Sequence, residues 1–195
     1  MKKPMYKLLP LVALLSCSSL AFAGSITYSI NFEQLPAYTV VTNQYAAQDV
    51  VFSDALQLVA PSYDYFDFPP NSGSGVITND PNDPIQLNFT VGMLDVTGWY
   101  SDPYGVVVIA YDSGNNPLSA FFGAGDDGAN APFWVGASST ADPISYVTIG
   151  DVYGFPDNET VDDVSFTTTP EPSSVMLFAT GLLGLVLVLR RKFAR

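Results

Sequence analysis

Residues 24–166 predict an all-β domain, an antiparallel β-sandwich of jelly-roll type. Three observations carry this: helical periodicity is absent, apolar and polar residues alternate in short runs, and Gly, Asn, Asp and Pro clusters separate those runs. The clearest strand is Pro84–Val91, where Ile85, Leu87, Phe89 and Val91 alternate with Gln86, Asn88 and Thr90. That spacing puts four apolar side chains on one face, expected to be buried. Val106–Ala110 is apolar on both faces and predicts a central strand. Further strands are expected over Ile26–Phe32, Val50–Phe52, Leu56–Val59, Leu94–Tyr100, Leu118–Phe122, Ile144–Ile149 and Val161–Thr167. The turns between them are marked by Ser113-Gly114-Asn115-Asn116, Gly125-Asp126-Asp127-Gly128 and Phe155-Pro156-Asp157-Asn158. Tyr63–Asp83, rich in Pro, Asn, Ser and Gly, reads as the longest loop. No internal repeat and no second domain boundary is evident.

The charges are segregated along the chain. All seven basic residues lie near a terminus: Lys2, Lys3, Lys7, Arg190, Arg191, Lys192 and Arg195. Between Gly24 and Thr169 there is no Lys, Arg or His, while 18 of the 19 acidic residues fall there. A body with that balance repels polyanions, which excludes nucleic acid as a partner and direct attraction to anionic lipid. Internal salt bridges are impossible, so repulsion has to be relieved by spacing, screening or bound cations. The domain's many aromatic and β-branched residues supply enough apolar surface for a core, which answers disorder as the alternative reading of such a charge.

Both ends read as addresses. A basic start, the apolar run Leu8–Leu15 and the segment Ala21-Phe22-Ala23 form a secretory signal peptide over residues 1–23, cut between Ala23 and Gly24. A lipoprotein signal at Cys17 is the rival, disfavoured by Leu15 and by the complete Ala-x-Ala that follows. Cys17 is the only cysteine, so the mature domain forms no disulfide. At the other end a linker, residues 167–174, holds Pro170, Glu171 and Pro172 ahead of the apolar run 175–189 and the basic tail 190–195. From Pro172 to Leu189 a helix would run roughly 27 Å at about 1.5 Å per residue, close to the ~30 Å hydrocarbon core, so one C-terminal transmembrane helix is expected. Its basic tail is expected to stay cytoplasmic.

Pro170-Glu171-Pro172, an apolar helix containing Gly181 and Gly184, and a terminal Arg/Lys cluster stand in the order of the PEP-CTERM sorting signal, which this tail resembles. The resemblance covers about the last 26 residues of the chain. It implies signal peptidase and an exosortase, a membrane cysteine transpeptidase, as processing partners. It also implies transient anchoring in the inner membrane of a Gram-negative bacterium, then delivery to the cell surface or the exopolysaccharide of the extracellular matrix. A plain membrane anchor is the alternative. Within the domain, Ile30-Asn31-Phe32-Glu33, Thr39–Tyr45, Ala110–Asn115 and Val161–Phe166 resemble β-sandwich domains of such exported proteins, distantly similar to carbohydrate-binding jelly rolls.

Candidate chemistry is limited by what the domain lacks. Without His or Cys, Ser-His-Asp and Cys-His catalysis are excluded, and zinc or copper would need carboxylate-only sites. A glycan hydrolase needs two opposed carboxyl groups, but only Glu33 and Glu159 are glutamates and no spacing singles out a pair. No catalytic residue is therefore assigned, and an enzyme is not expected. The resemblance to jelly rolls implies a structural calcium joining the first and last strands, with Glu33 and Asp162 or Asp163 as ligands. The alternative is that Asp162 and Asp163 are a solvated pair. Asp126 and Asp127 read as a solvated turn in preference to a second ion site. Trp99, Tyr100, Tyr104 and Trp134, with Tyr63 and Tyr65, are candidates for an aromatic platform against sugar rings; burial in the core is the competing role. The function these readings favour is an exported, non-enzymatic envelope or matrix protein associated with exopolysaccharide, with a glycan-binding module as the alternative.

Overall fold

A computed structural model describes residues 24–64, 66–79, 83–125, 128–153 and 159–170, together with Gly181 and Gly184, which are helical. The signal peptide, Glu171, Pro172, the rest of the expected transmembrane helix, and the basic tail lie outside the described residues. Among the described residues no helix is long and apolar enough to cross a membrane.

Among the described residues eleven strands form one antiparallel system: β1 (Thr27–Ile30), β2 (Val40–Val41), β3 (Val50–Ser53), β4 (Ala55–Val59), β5 (Gly75–Asn79), β6 (Ile85–Ser101), β7 (Val106–Tyr111), β8 (Pro117–Phe122), β9 (Ala131–Gly136), β10 (Ile144–Asp151) and β11 (Thr160–Thr168). The two strands expected over 84–91 and 94–100 are the single strand β6, of 17 residues. Its first half pairs with β3 and β10, and β10 continues through β7 to β8. Its second half pairs with β9 and β11, and β11 continues to β1 and to β5, β4 and β2. One strand thus serves two sheets.

The handover leaves its mark on the burial pattern. Ile85, Leu87 and Met93 are buried, after which the inward positions become Val96, Gly98 and Tyr100. A register shift opposite Thr167 and Thr168 skips Leu94 and moves the inward set from odd to even numbers. Val91, expected inside, sits at this transition and is 44% exposed, while Phe89 is only partly buried. Simple alternation does not foresee such a bulge.

Both sheets contribute to one core. Val106, Val108, Ala110, Val147 and Ile149 line it from the first, and Val96, Phe133, Val135, Val164 and Phe166 from the second. Phe89 of the first half of β6 meets Phe166 of β11 at 5.1 Å between ring centroids, and Tyr100 meets Phe121 of β8 at 6.1 Å edge-on. These contacts hold the layers together face to face.

β2, β5 and β9 were not expected. β2 has two residues, too short for a period to show. β5 arises inside the expected long loop because Val76 and Ile77 pair against Leu58 and Gln57 of β4. In β9, Phe133 and Val135 face inward opposite Gly98 and Val96. The first and last strands are tied by pairing from Thr27↔Thr167 to Ile30↔Val164 and by the Thr168 amide donating to the Ile26 carbonyl at 2.8 Å.

Phe166 is fully buried between Tyr28 and Phe89. Phe166→Ala is expected to cost about 3–5 kcal/mol, a transfer term plus a cavity, read as a lowered urea midpoint with unchanged slope.

Candidate functional site

Glu33, Asp162 and Asp163 are all held by one loop segment, Asn71–Gly75. Asp162 sits opposite Trp99, and two residues then face the single Gly98 before Ser165 pairs with Thr97, so Asp163 lies in a β-bulge at φ 48°. The bulge lets neighbouring carboxylates reach the same loop. Ser72 N donates to Asp162 Oδ2 at 2.8 Å and Asp163 N to Asp162 Oδ1 at 2.6 Å. Asn71 Nδ2 and Ser72 Oγ donate to the two oxygens of Asp163 at 2.7 and 2.9 Å. The amides of Ser74 and Gly75 donate to Glu33 Oε1 at 2.9 and 2.7 Å, and Ser74 Oγ reaches Oε2 at 3.3 Å. Gly73 permits the wrap: its φ is +54°, and a Cβ there would lie 2.4 Å from the Glu33 carboxyl.

These residues do not fit a calcium ion as they stand. All six carboxylate oxygens already accept hydrogen bonds, several from backbone amides that turn the positive ends of their dipoles toward the site. Among the described residues no group of three or more acidic side chains is arranged to hold a metal ion. The cradle therefore works as a donor-lined anion site that pins Asn71–Gly75 to β11. Burial pushes the Asp162 carboxyl up to about 6, against the lowering effect of the Ser72 amide, with the Asp163 charge adding to the rise. Tyr63 packs here, its hydroxyl driven up to about 12 by burial and by the charges of Asp162 and Glu33.

The expected aromatic platform is divided by the fold. Trp99 and Trp134 share the outward face of the second sheet: Trp99 pairs with Pro132, and Trp134, two residues on, pairs with Thr97. That makes them diagonal neighbours, about 7–8 Å apart between backbones. Trp134 is 58% exposed. Its indole edge folds over Gly136, where a Cβ would approach within 2.5 Å of Cη2 and Cζ2. Beside the tryptophans run hydroxyls in cross-strand rows. Thr97 pairs with Ser165 and Ser165 with Ser29; Ser165 Oγ donates to Ser29 Oγ at 3.0 Å. Thr27 and Thr167 hydroxyls meet at 3.2 Å.

Tyr100 is not part of this face. Alternation turns it inward from Trp99, and it is 2% exposed, its hydroxyl donating to the Ala124 carbonyl at 3.0 Å. Tyr104 is exposed but lies on the β6–β7 turn, edge-on to Tyr153 at 6.4 Å. Tyr65, Asp126 and Asp127 lie outside the described residues. A second aromatic pair that sequence reading missed is Tyr111 with Tyr146, stacked at 4.6 Å and 8° on the outer face of the first sheet. The register Tyr146↔Tyr111 creates it, and no local pattern announces a cross-strand register. The two rings largely cover each other's faces, unlike Trp134.

Asp102 is a further missed residue. It is fully buried; Oδ1 accepts the Tyr104 and Gly105 amides at 2.7 and 2.8 Å, and Oδ2 has no hydrogen-bond partner. Burial raises its carboxyl to about 6, with the Asp151 charge contributing. Glu159, one of the two glutamates of the domain, is fully buried, out of reach of a polymer in solvent.

With this geometry the chain is an all-β domain bearing a donor-lined acid cradle and an exposed tryptophan face. Residues 168–192 match the PEP-CTERM protein-sorting motif, the mark of an exported, exosortase-processed protein. Among solved structures, the chain is similar to a variant of CBM29-2, a family 29 carbohydrate-binding module, at 10% identity and TM-score 0.46, covering 74% of this chain and 93% of that one. It is similar to the CBM22-1 xylan-binding domain of Paenibacillus barcinonensis Xyn10C at 11% identity and TM-score 0.46, covering 73% and 94%. It is also similar to the K1 cleaved adhesin domain of Lys-gingipain from Porphyromonas gingivalis W83 at 14% identity and TM-score 0.42, covering 72% and 97%. No curated protein matches the chain.

Two outcomes follow from the acids. A carboxyl whose folded pKa is raised binds protons more tightly in the native state between its unfolded value near 4 and its folded value near 6, so stability is gained as pH falls through that window. The melting temperature is expected to rise from pH 7.5 to pH 5, and Asp102→Asn, which keeps an acceptor for both amides, should flatten that rise. Thermal melts with and without EDTA should superimpose, because the Glu33–Asp162–Asp163 cradle is closed by N–H and O–H donors.

Proposed function

We propose that this chain is an exported, non-enzymatic surface protein whose β domain binds neutral glycan through the outward face carrying Trp99 and Trp134. Its tail is handled by an exosortase after the 175–189 helix has anchored it in the inner membrane, and the mature domain associates with exopolysaccharide at the cell surface. The observation that carries the reading is Trp134. A tryptophan more than half exposed and folded over a glycine has a strong apolar transfer preference unmet by the fold itself. An indole face suits the C–H face of a pyranose, and the flanking hydroxyls of Thr97, Ser165 and Ser29 both donate and accept, as sugar hydroxyls do. The absence of basic residues from the domain directs the choice to uncharged polymers over acidic ones.

A catalytic role finds less support. Both oxygens of Glu33 are engaged by the Ser74–Gly75 segment and Glu159 is buried, so the two glutamates do not flank an open groove.

The test is depletion of the purified protein by insoluble and soluble neutral polysaccharides, cellulose, xylan and mannan among them. Wild type should be retained on at least one. Trp134→Ala, a substitution at an exposed position, should lower retention about tenfold or more while leaving the melting temperature nearly unchanged. Equal retention of variant and wild type would end the proposal for this face.

A further inference from the structure

The two sheets differ in charge. β3, β7, β8 and the Ile85–Met93 half of β6 contain no charged residue, and β10 contains only Asp151, which is buried. The second sheet carries Asp95, Asp162 and Asp163 in its strands. A domain with 18 acids thus keeps one five-stranded sheet free of exposed charge.

Alternation turns the polar and aromatic members of this first sheet outward. Asn88, Tyr146 and Tyr111 form one cross-strand row, and Gln86, Thr148 and Ile109 form the next. One row further on, Val107 pairs with Phe122, which is 72% exposed on the terminal strand β8. The stacked pair Tyr111 and Tyr146 stands as a ridge, since side chains rise roughly perpendicular to a sheet. Gln86 Nε2 donates to Asn88 Oδ1 at 2.6 Å and Asn88 Nδ2 to Ser53 Oγ at 3.3 Å, which orders both amides. Among the described residues nothing bonds Gln86 Oε1, the Thr148 hydroxyl or the two tyrosine hydroxyls of the ridge. None of these atoms is sealed from solvent as the Tyr45 and Tyr63 hydroxyls are. Hydroxyls and amides donate and accept, as sugar hydroxyls do, and the Phe122 ring offers an apolar face. At the rim, Asp112 is engaged by Gly114 and Asn116 donors, and Asp49 by the Tyr28 and Thr90 hydroxyls.

Size and charge select the occupant. Five strands and three outward rows cover roughly 24 Å by 20 Å, an area near 500 Å². That is short of the ~800 Å² per partner in a stable protein pair, and a second copy would bring its own acids toward this one. A neutral glycan chain is narrow and carries no charge to repel. The sheets pack face to face over one core, about 10 Å apart, so this face points away from Trp134. One extended chain cannot lie on both faces.

We infer that the outer face of the first sheet is a second site for neutral glycan, so that a single domain grips two polysaccharide chains and crosslinks them. The inference rests on the glycan-binding reading of the tryptophan face and extends it from attachment to bridging. Phe122 packs against a sugar ring, and Gln86, Thr148 and the tyrosine ridge hydrogen-bond its hydroxyls.

The test is a sandwich assay with the full chain held at one copy per lipid nanodisc. Cellulose, insoluble xylan and insoluble mannan are loaded with protein, then offered fluorescein-labelled hydroxyethylcellulose, soluble arabinoxylan and galactomannan respectively. Wild type should capture label above a protein-free blank on the polymer that retains it. Phe122→Ala and Gln86→Ala should load nearly as wild type and keep its melting temperature. Captured label should fall about tenfold for Phe122→Ala, the loss of an aromatic anchor, and about fivefold for Gln86→Ala, the loss of one hydrogen bond. Trp134→Ala, loading through the first sheet alone, should also lose capture. Wild type that loads but captures nothing, or a Phe122→Ala and Gln86→Ala that capture as wild type, would overturn the second site and leave the tryptophan face standing. Wild type that loads on none of the three would overturn both.

Discussion

Every carboxylate of the β domain has to be satisfied without a basic side chain, since none occurs between residues 24 and 169. The structure answers with hydrogen-bond donors from backbone, hydroxyl and amide. Asp112 accepts Gly114 N, Asn116 N and Asn116 Nδ2, closing the β7–β8 turn, and its carboxyl is held below the usual range by the Asn116 side chain first and backbone amides next. Asp49 takes two hydroxyls, Asp102 two amides, and Glu33, Asp162 and Asp163 share the Asn71–Gly75 segment. The turns and loops at these positions are therefore built around acids, and each of these acids doubles as the fastener of the segment that satisfies it. Where donors run short, as at Asp102 Oδ2, burial shifts the balance toward the protonated form.

That arrangement bears on the architecture through β6 and β11. β6 passes between the sheets with a one-residue shift near Leu94, and β11 answers with a bulge at Asp163. The bulge is what turns two successive acids toward the Asn71–Gly75 loop, while Val161 and Val164 stay in the core. Core packing and polar satisfaction are thus met by the same irregularity. A regular ladder would have sent one of the two carboxylates into the apolar interior, at a penalty of several kcal/mol.

The proposed binding face sits where the fold has no use for what it carries. Trp134 covers a glycine and faces solvent. Beside it run hydroxyls already ordered by cross-strand pairing, so little side-chain entropy would remain to be lost on the proposed binding. With a sorting tail matched over residues 168–192, this face belongs to an exported protein.

The amino-acid order by itself determined the all-β class, most of the strands, the charge segregation and the sorting tail. Each is a local pattern: a period of two, a composition, or a short motif followed by an apolar run. It also placed Trp99 and Trp134 among the candidate contacts, because the chain has only two tryptophans, while Glu33 was grouped with Asp162 and Asp163 through the resemblance to jelly rolls. Tertiary structure alone decided that Tyr100 turns inward, that Tyr104 pairs with Tyr153, and that Tyr111 stacks on Tyr146. It also decided that the acid cluster is closed by amide donors from a loop some ninety residues away in the chain. The physical reason is register. Which strand lies beside which, and where a bulge shifts the count by one, depends on packing between distant segments, and a single slip reverses which side chains meet solvent.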